Sequence, residues 1–85
     1  MYKSLVNIVN THIKKGELVE FFPIKKNMPL FRGWFVRAYR NFGVDNGPAM
    51  MELENVYDKR MTDKISWYSK FRILHGKTII AEYKL

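Results

Sequence analysis

The sequence lacks cysteine, long apolar runs and an opening signal-peptide pattern. Without cysteine there can be no disulfide framework, no thiol catalysis and no cysteine-ligated zinc site. No apolar run approaches the ~18–20 residues that a membrane-spanning helix requires, and no charged and apolar leader opens the chain. We therefore expect a soluble protein with a cytoplasmic location.

Patterns that carry catalytic chemistry are also missing. His12 and His75 have no acidic residue at metal-ligand spacing, the serines occur in no nucleophile elbow, and no glycine-rich phosphate loop is present. Glu52 and Glu54 lie two apart in a predicted strand, which a solvated strand face explains. The sequence thus predicts a protein that is not an enzyme and that uses no metal, cofactor or small-molecule substrate.

What the sequence does contain is apolar and basic. Its 85 residues are 47% hydrophobic and 15% aromatic, so the chain is expected to fold as a single domain over residues 1–85. The net charge is +7, from 15 lysines and arginines against 8 acidic residues. Such a charge favours a polyanionic partner, with solubility as the alternative explanation. Because the basic residues are scattered, no membrane partner is expected.

Hydrophobic periodicity predicts one helix followed by a run of strands. Apolar residues recur at helical spacing over about 2–14, and Gly16 ends that pattern. The period then changes to two, and a polar turn is predicted at 58–63. The five predicted strands cover about 17–24, 31–40, 49–57, 65–74 and 78–85. Short connections between consecutive strands indicate a strongly bent antiparallel sheet, or small open barrel.

Adjacent aromatic residues occur within three of the predicted strands. They are Phe21-Phe22, Trp34-Phe35 and Trp67-Tyr68. Since neighbours in a strand point to opposite faces, each pair is predicted to place one ring on each side of the sheet. The last strand carries no charge over 78–81, so at a sheet edge it would favour self-association. Closure of the barrel would instead pair that strand internally.

Several segments resemble the Sm-like (LSm, Hfq-type) family. Residues 51–57 (MELENVY) look like the third strand of that family, and 72–80 (RILHGKTII) resemble its Sm2 motif with His75 in place of the usual arginine. Residues 33–39 (GWFVRAY) resemble the Sm1 glycine and the strand that follows it, and 16–19 (GELV) stand where the first strand begins. The order of one helix and five bent strands is also that of the family.

The resemblance implies a ring of identical subunits that binds single-stranded RNA. Pairing of the fourth strand of one subunit with the fifth strand of the next would close the ring. The two motif loops would hold RNA, and their residue types suit base stacking, base-edge hydrogen bonds and phosphate contacts. Aligned from the third strand, Asn46 stands at the Sm1 aspartate position; aligned from the second strand, Arg40 stands there and Asn41 follows. The implied RNA contacts are Asn41, Asn46, His75, Gly76 and Lys77, with Arg40 as electrostatic support.

The functional prediction is therefore a non-catalytic RNA-binding protein that forms a homo-oligomeric ring. The alternative is an SH3-like small barrel that serves as a protein-interaction or structural module. In that case the aromatic faces would bind protein and the positive charge would serve solubility. An OB-type binder of single strands is a third possibility, and it predicts a monomer.

Overall fold

The computed structural model describes residues 4–40, 47–57 and 59–85 and has a mainly β fold. Over these residues there is one α-helix, α1 (Leu5–His12), and a short 3-10 helix covers Ile65–Trp67. The strands are β1 (Leu18–Pro23), β2 (Phe31–Arg40), β3 (Ala49–Glu54), β4 (Arg60–Lys64), β5 (Tyr68–His75) and β6 (Thr78–Lys84). They form one antiparallel sheet in the order β4-β3-β2-β1-β5-β6. The mainly β class with an N-terminal helix is confirmed, but the described residues form a sheet of six strands where five were predicted.

The additional strand is β4, which occupies most of the predicted polar turn at 58–63. Its five residues carry only one apolar side chain, Met61, so they show no hydrophobic alternation. They form a strand because they pair with β3, in a register that sets Leu53 opposite Met61 and Met50 opposite Lys64. A charged strand at a sheet edge is typical, because one side of it faces water.

Two other predicted strand boundaries were wrong. The third strand ends at Glu54, not at 57, because the Asn55 side chain accepts the N–H groups of Tyr57 and Lys59 and turns the chain. The fourth strand begins at 68, not at 65, because 65–67 form the 3-10 helix.

The helix is shorter than the predicted 2–14. Within the described residues it begins after Ser4, whose side-chain oxygen accepts the N–H of Asn7 at 3.1 Å. It ends at His12, because Ile13 already has an extended backbone. No helix in the described ranges has the length and hydropathy to cross a membrane.

The link between β4 and β5 shows how strongly the sheet bends. Three strands separate β4 from β5 in the sheet, so in a flat sheet they would lie about 19 Å apart. Only the 3-10 helix joins them, and its three residues rise about 6 Å. The two ends of the sheet must therefore approach one another. Because the described strands show no pairing that joins those ends, the barrel stays open.

The bend occurs along β2, which changes partner part-way along its length. Its first residues pair with β1 and its later residues with β3, and Trp34 is opposite both Leu18 and Glu54. Just before this point Gly33 is so close to β3 that a Cβ atom there would lie 2.6 Å from the carbonyl oxygen of Glu54. A shift of register follows between Phe35 and Arg37. Glycine and a bulge are the usual devices that curve a sheet.

The core fills the concave side of the sheet, under α1. Its centre is aromatic: the rings of Phe21 and Phe71 lie 5.3 Å apart, and Tyr68 meets Phe21 edge-on. The predicted division is visible for Trp34 and Phe35, because Phe35 is buried while Trp34 is 38% exposed. Tyr68 is buried and Trp67 is 45% exposed, but Trp67 lies in the 3-10 helix and not in a strand. The buried apolar residues are Val9, Ile13, Val19, Phe21, Phe35, Ala38, Met51, Leu53, Ile65, Tyr68, Phe71 and Ile73.

Candidate functional site

Three of the predicted contacts lie together at the hairpin between β5 and β6. His75 ends β5 opposite Thr78, and Gly76 and Lys77 form the turn. Gly76 has a φ of +61°, a left-handed backbone conformation that residues other than glycine, asparagine and aspartate rarely adopt. All three residues of the segment His75-Gly76-Lys77 are exposed.

A groove of about 360 Å³, which we call the hairpin groove, runs from this turn across three strands. The register creates it, because Leu18 on β1 lies opposite Trp34 on β2 and also opposite Leu74 on β5. Side chains of these three residues therefore form one row on the outer face of the sheet. The groove is lined by Gly16, Glu17, Leu18, Trp34, Leu74, His75, Gly76 and Ile80.

Backbone hydrogen bonds fix the wall of the hairpin groove. The N–H of Gly16 donates to the carbonyl of Phe35 at 2.8 Å, and the N–H of Phe35 donates to the carbonyl of Glu17, also at 2.8 Å. The Glu17 carboxylate accepts the N–H of Lys14. These bonds hold the segment before β1 against β2, so the groove does not depend on a ligand for its shape. The indole of Trp34 lines this preformed groove.

The other predicted contacts do not join the hairpin. Arg40 ends β2, and its guanidinium donates to the carbonyl of Gly47 at 3.3 Å. The register sets Arg40 opposite Ala49 and Lys64 opposite Met50, so Arg40 lies at the same end of the β2–β3–β4 part of the sheet as Lys64. Counted along β2, Arg40 is five residues, or about 16 Å, beyond the level of His75. Asn41 and Asn46 lie outside the described residues.

The outer face of β2, β1, β5 and β6 carries a charged ladder. Arg32, Glu20, Arg72 and Glu82 are opposite one another across four strands. Arg32 pairs with Glu20 at 3.7 Å, and the Arg72 side chain donates to Glu82 at 2.5 Å. The hydrogen bond from Arg72 lowers the pKa of Glu82, against a smaller opposing effect of burial.

Beside this ladder Phe22 carries two cations. The Lys70 ammonium lies 4.9 Å and the Arg72 guanidinium 4.6 Å from the centre of its ring. An aromatic ring with two cations over it is an arrangement that can stack a base and meet a phosphate.

A second charged cluster surrounds Glu52 on the outer face of β3. Glu52 is 7% exposed, and its carboxylate accepts from Arg37 at 3.0 Å and from Arg60 at 3.3 Å. The hydrogen bond and the charge of Glu52 raise the pKa of Arg37. A carboxylate held between two guanidinium groups links β3 to the strands on both sides of it.

Two exposed tryptophans are the residues that sequence reasoning left out of the site. Strand alternation already predicted that Trp34 and Phe35 face opposite sides, and that signal could have placed Trp34 on the outer face. The same alternation was predicted for Trp67 and Tyr68, but Trp67 lies in the 3-10 helix, and it meets the β1–β2 connection only in the folded chain. Among the described residues no group of three or more histidine, cysteine or acidic side chains is arranged to hold a metal ion.

Comparison of the chain with protein-family models, with curated proteins and with solved structures finds no match.

Proposed function

We propose that this protein binds single-stranded RNA without catalysing a reaction, as a divergent Sm-like protein that assembles into a homo-oligomer. The observation that carries the proposal is that His75 and Gly76 share one groove with the exposed indole of Trp34. Unpaired bases bind to proteins by stacking on aromatic and histidine rings. The net charge of +7 supplies the attraction for phosphates.

Each part of the hairpin groove has a role in this proposal. A base stacks on Trp34, the imidazole of His75 stacks on or hydrogen-bonds to a second base, and Lys77 meets a phosphate. Gly76 lets the turn form without a side chain that would cover the groove. Arg40, Asn41 and Asn46 remain predicted contacts. Because Arg40 lies farther along the sheet than His75, it would contact a different part of the bound RNA.

The proposed assembly uses the two edge strands. β5 hydrogen-bonds to β1 on one side and to β6 on the other, so it offers no edge to a neighbour. In the described part of the chain the unpaired edges belong to β4 and β6, which are the two ends of the sheet. Pairing β4 of one subunit with β6 of the next is a head-to-tail contact, which closes into a ring when the rotation between subunits allows.

RNA binding is tested by fluorescence anisotropy with labelled oligouridylate and oligoadenylate. Affinity should fall steeply as salt rises, because counterions are released from the phosphates. Trp34→Ala should weaken binding by about fivefold to a hundredfold, which corresponds to the loss of one stacked base. Tyr57→Ala removes an aromatic side chain that is 77% exposed in the β3–β4 turn, and it serves as the control. Equal losses in both variants would remove the hairpin groove from the RNA site.

Assembly is tested separately by light scattering at low and high salt. Ile80 is 57% exposed on β6, so Ile80→Asp should leave the subunit folded but reduce the mass of the particle to that of one chain. Val56→Asp puts the same charge on a turn residue that is 70% exposed and should leave the mass unchanged. A wild-type protein that is a monomer would contradict the homo-oligomer.

A protein-interaction module, as in an SH3-like small barrel, is the second candidate. The observation in its favour is the apolar row of Leu18, Trp34 and Leu74, which would suit an apolar peptide side chain as well as a base. Salt distinguishes the two functions: an apolar protein contact responds weakly to ionic strength, whereas a phosphate-driven contact weakens steeply.

A further inference from the structure

A second cleft lies where the connection between β1 and β2 meets the 3-10 helix. We call it the tryptophan cleft; its volume is about 440 Å³, and it is lined by Ile24, Lys25, Asn27, Met28, Ser66 and Trp67. Trp67 is 45% and Ile24 is 62% exposed, so large apolar surfaces face the solvent there. The cleft is at the Pro23 end of β1, five residues or about 17 Å from Leu18 in the hairpin groove.

The walls of the tryptophan cleft are tied to each other. The N–H of Ile24 donates to the carbonyl of Trp67 at 2.9 Å, which joins the β1–β2 connection to the 3-10 helix. The N–H of Met28 donates to the carbonyl of Lys25 at 3.2 Å and closes the turn between them. The backbone on both sides of the cleft is thus held in position before a ligand arrives, so less entropy is lost on binding.

The charge around the tryptophan cleft is positive. Lys25 lies in the lining, Lys26 follows it in the exposed turn, and none of the six lining residues is acidic. The ammonium of Lys64 lies 5.3 Å from the centre of the Trp67 ring. Asp63, the acidic residue nearest to Trp67 in the sequence, accepts the hydroxyl hydrogen of Tyr68. An anionic ligand would therefore meet several lysines beside a flat aromatic ring.

We propose that the tryptophan cleft binds a nucleotide of single-stranded nucleic acid, with its base stacked on Trp67 and its phosphates between Lys25 and Lys64. The exposed amide of Asn27 and hydroxyl of Ser66 are placed to hydrogen-bond the edge of the base. A nucleotide uses the flat ring, the polar groups and the cations together. An acidic peptide would use the lysines alone and leave the indole without a planar partner. This site goes beyond the proposed function, since it needs none of the residues of the hairpin groove.

Because each of the two sites contains one tryptophan, binding at each site can be followed separately by tryptophan fluorescence. Trp34→Phe leaves Trp67 as the only tryptophan, and Trp67→Phe leaves Trp34. The probe is a ten-nucleotide oligouridylate at low salt, followed by its titration with salt. We expect the fluorescence of Trp67 to be quenched in the Trp34→Phe protein, with an affinity that falls as salt rises. Addition of Lys25→Glu should weaken that quenching and reduce the salt slope by about one. Lys59→Glu makes the same change of charge at the other end of β4 and should alter neither.

The outcomes separate this inference from the proposed function. Quenching of Trp34 without quenching of Trp67 would overturn the tryptophan cleft as a nucleic-acid site and leave RNA binding at the hairpin groove intact. Quenching of Trp67 without Trp34 would support the cleft and overturn the hairpin groove. A response of Trp67 to polyglutamate as strong as its response to oligouridylate would overturn the nucleotide and favour an acidic peptide. In the wild-type protein the two indole N–H resonances, assigned with the single variants, give the same separation without relying on a variant fold.

Discussion

The replacement of Gly33 by alanine tests whether the sheet bends where the structure places the bend. A Cβ atom at Gly33 would lie 2.6 Å from the carbonyl oxygen of Glu54 and 3.0 Å from the Cβ atom of Leu53. Both atoms belong to β3, and the nearer one is backbone that cannot rotate away. β3 would have to move by several tenths of an ångström, and Leu53, which is fully buried, would move with it.

The expected cost follows from two opposing effects. Overpacking of a well-packed interior costs about 1–3 kcal/mol, while the lower backbone entropy of unfolded alanine returns about 0.4–1 kcal/mol. We expect Gly33→Ala to lower the free energy of unfolding by about 1–2 kcal/mol. For a domain of this size that corresponds to a decrease in Tm of about 4–16 °C. Urea denaturation followed by circular dichroism and thermal denaturation measure the two quantities.

Gly76 supplies the matched control, because it is constrained by its backbone and not by space. Nothing lies within 4 Å of a Cβ atom there, but φ is +61°. Gly76→Asn should therefore recover most of the stability lost in Gly76→Ala, since asparagine tolerates the left-handed region. Gly33→Asn should recover none, because a larger side chain meets the same carbonyl. A Gly33→Ala protein within about 0.5 kcal/mol of wild type would refute the close approach of β2 and β3.

Three further predictions concern the buried and charged pairs. Tyr68→Phe removes the hydrogen bond to Asp63 and should cost about 1–2 kcal/mol in urea denaturation at neutral pH. Burial and the bond to Asp63 raise the pKa of Tyr68, so the difference in free energy of unfolding between wild type and variant should be constant below about pH 10 and decrease above it. A difference that stays constant at higher pH would contradict the buried hydroxyl. Glu52→Gln leaves two guanidinium groups without their carboxylate and should lower the free energy of unfolding by about 1–2 kcal/mol, and by less at high salt. An unchanged midpoint in urea would show that the cluster contributes nothing to stability. Arg72→Ala should raise the pKa of Glu82 in a carboxyl NMR titration, and with Arg72 present the stability from this pair should be lost only as pH falls through the lowered pKa.

The regular strands could be predicted from the sequence because their pattern is local. β2 has the predicted bounds, 31–40, and the alternation of Trp34 and Phe35 correctly gave one exposed and one buried ring. A strand that is buried on one side must alternate, so its pattern is visible without knowledge of its partners. The hairpin at His75-Gly76 was visible for a similar reason, since a tight turn needs a residue that accepts a positive φ.

The elements that were missed take their conformation from distant residues. β4 is polar and becomes a strand only because β3 offers it an edge. Residues 65–67 have the composition of a strand, but they must cross from one end of the bent sheet to the other, and a compact turn does this where an extended segment would not. Periodicity within a segment contains no information on either constraint.

For the candidate sites too, part could be predicted from local sequence and part depends on the fold. The sequence by itself determined that the chain is basic, that it is rich in aromatic residues with one ring on each face of a strand, and that a glycine turn joins its last two strands. The tertiary structure decided which of these residues meet: Trp34 joins His75 because both β2 and β5 pair with β1, and Trp67 joins Lys25 because β1 pairs with β5 in a register that sets Pro23 opposite Tyr68. Residue type and alternation are properties of single segments, whereas a binding surface depends on the register and curvature that only the folded sheet fixes.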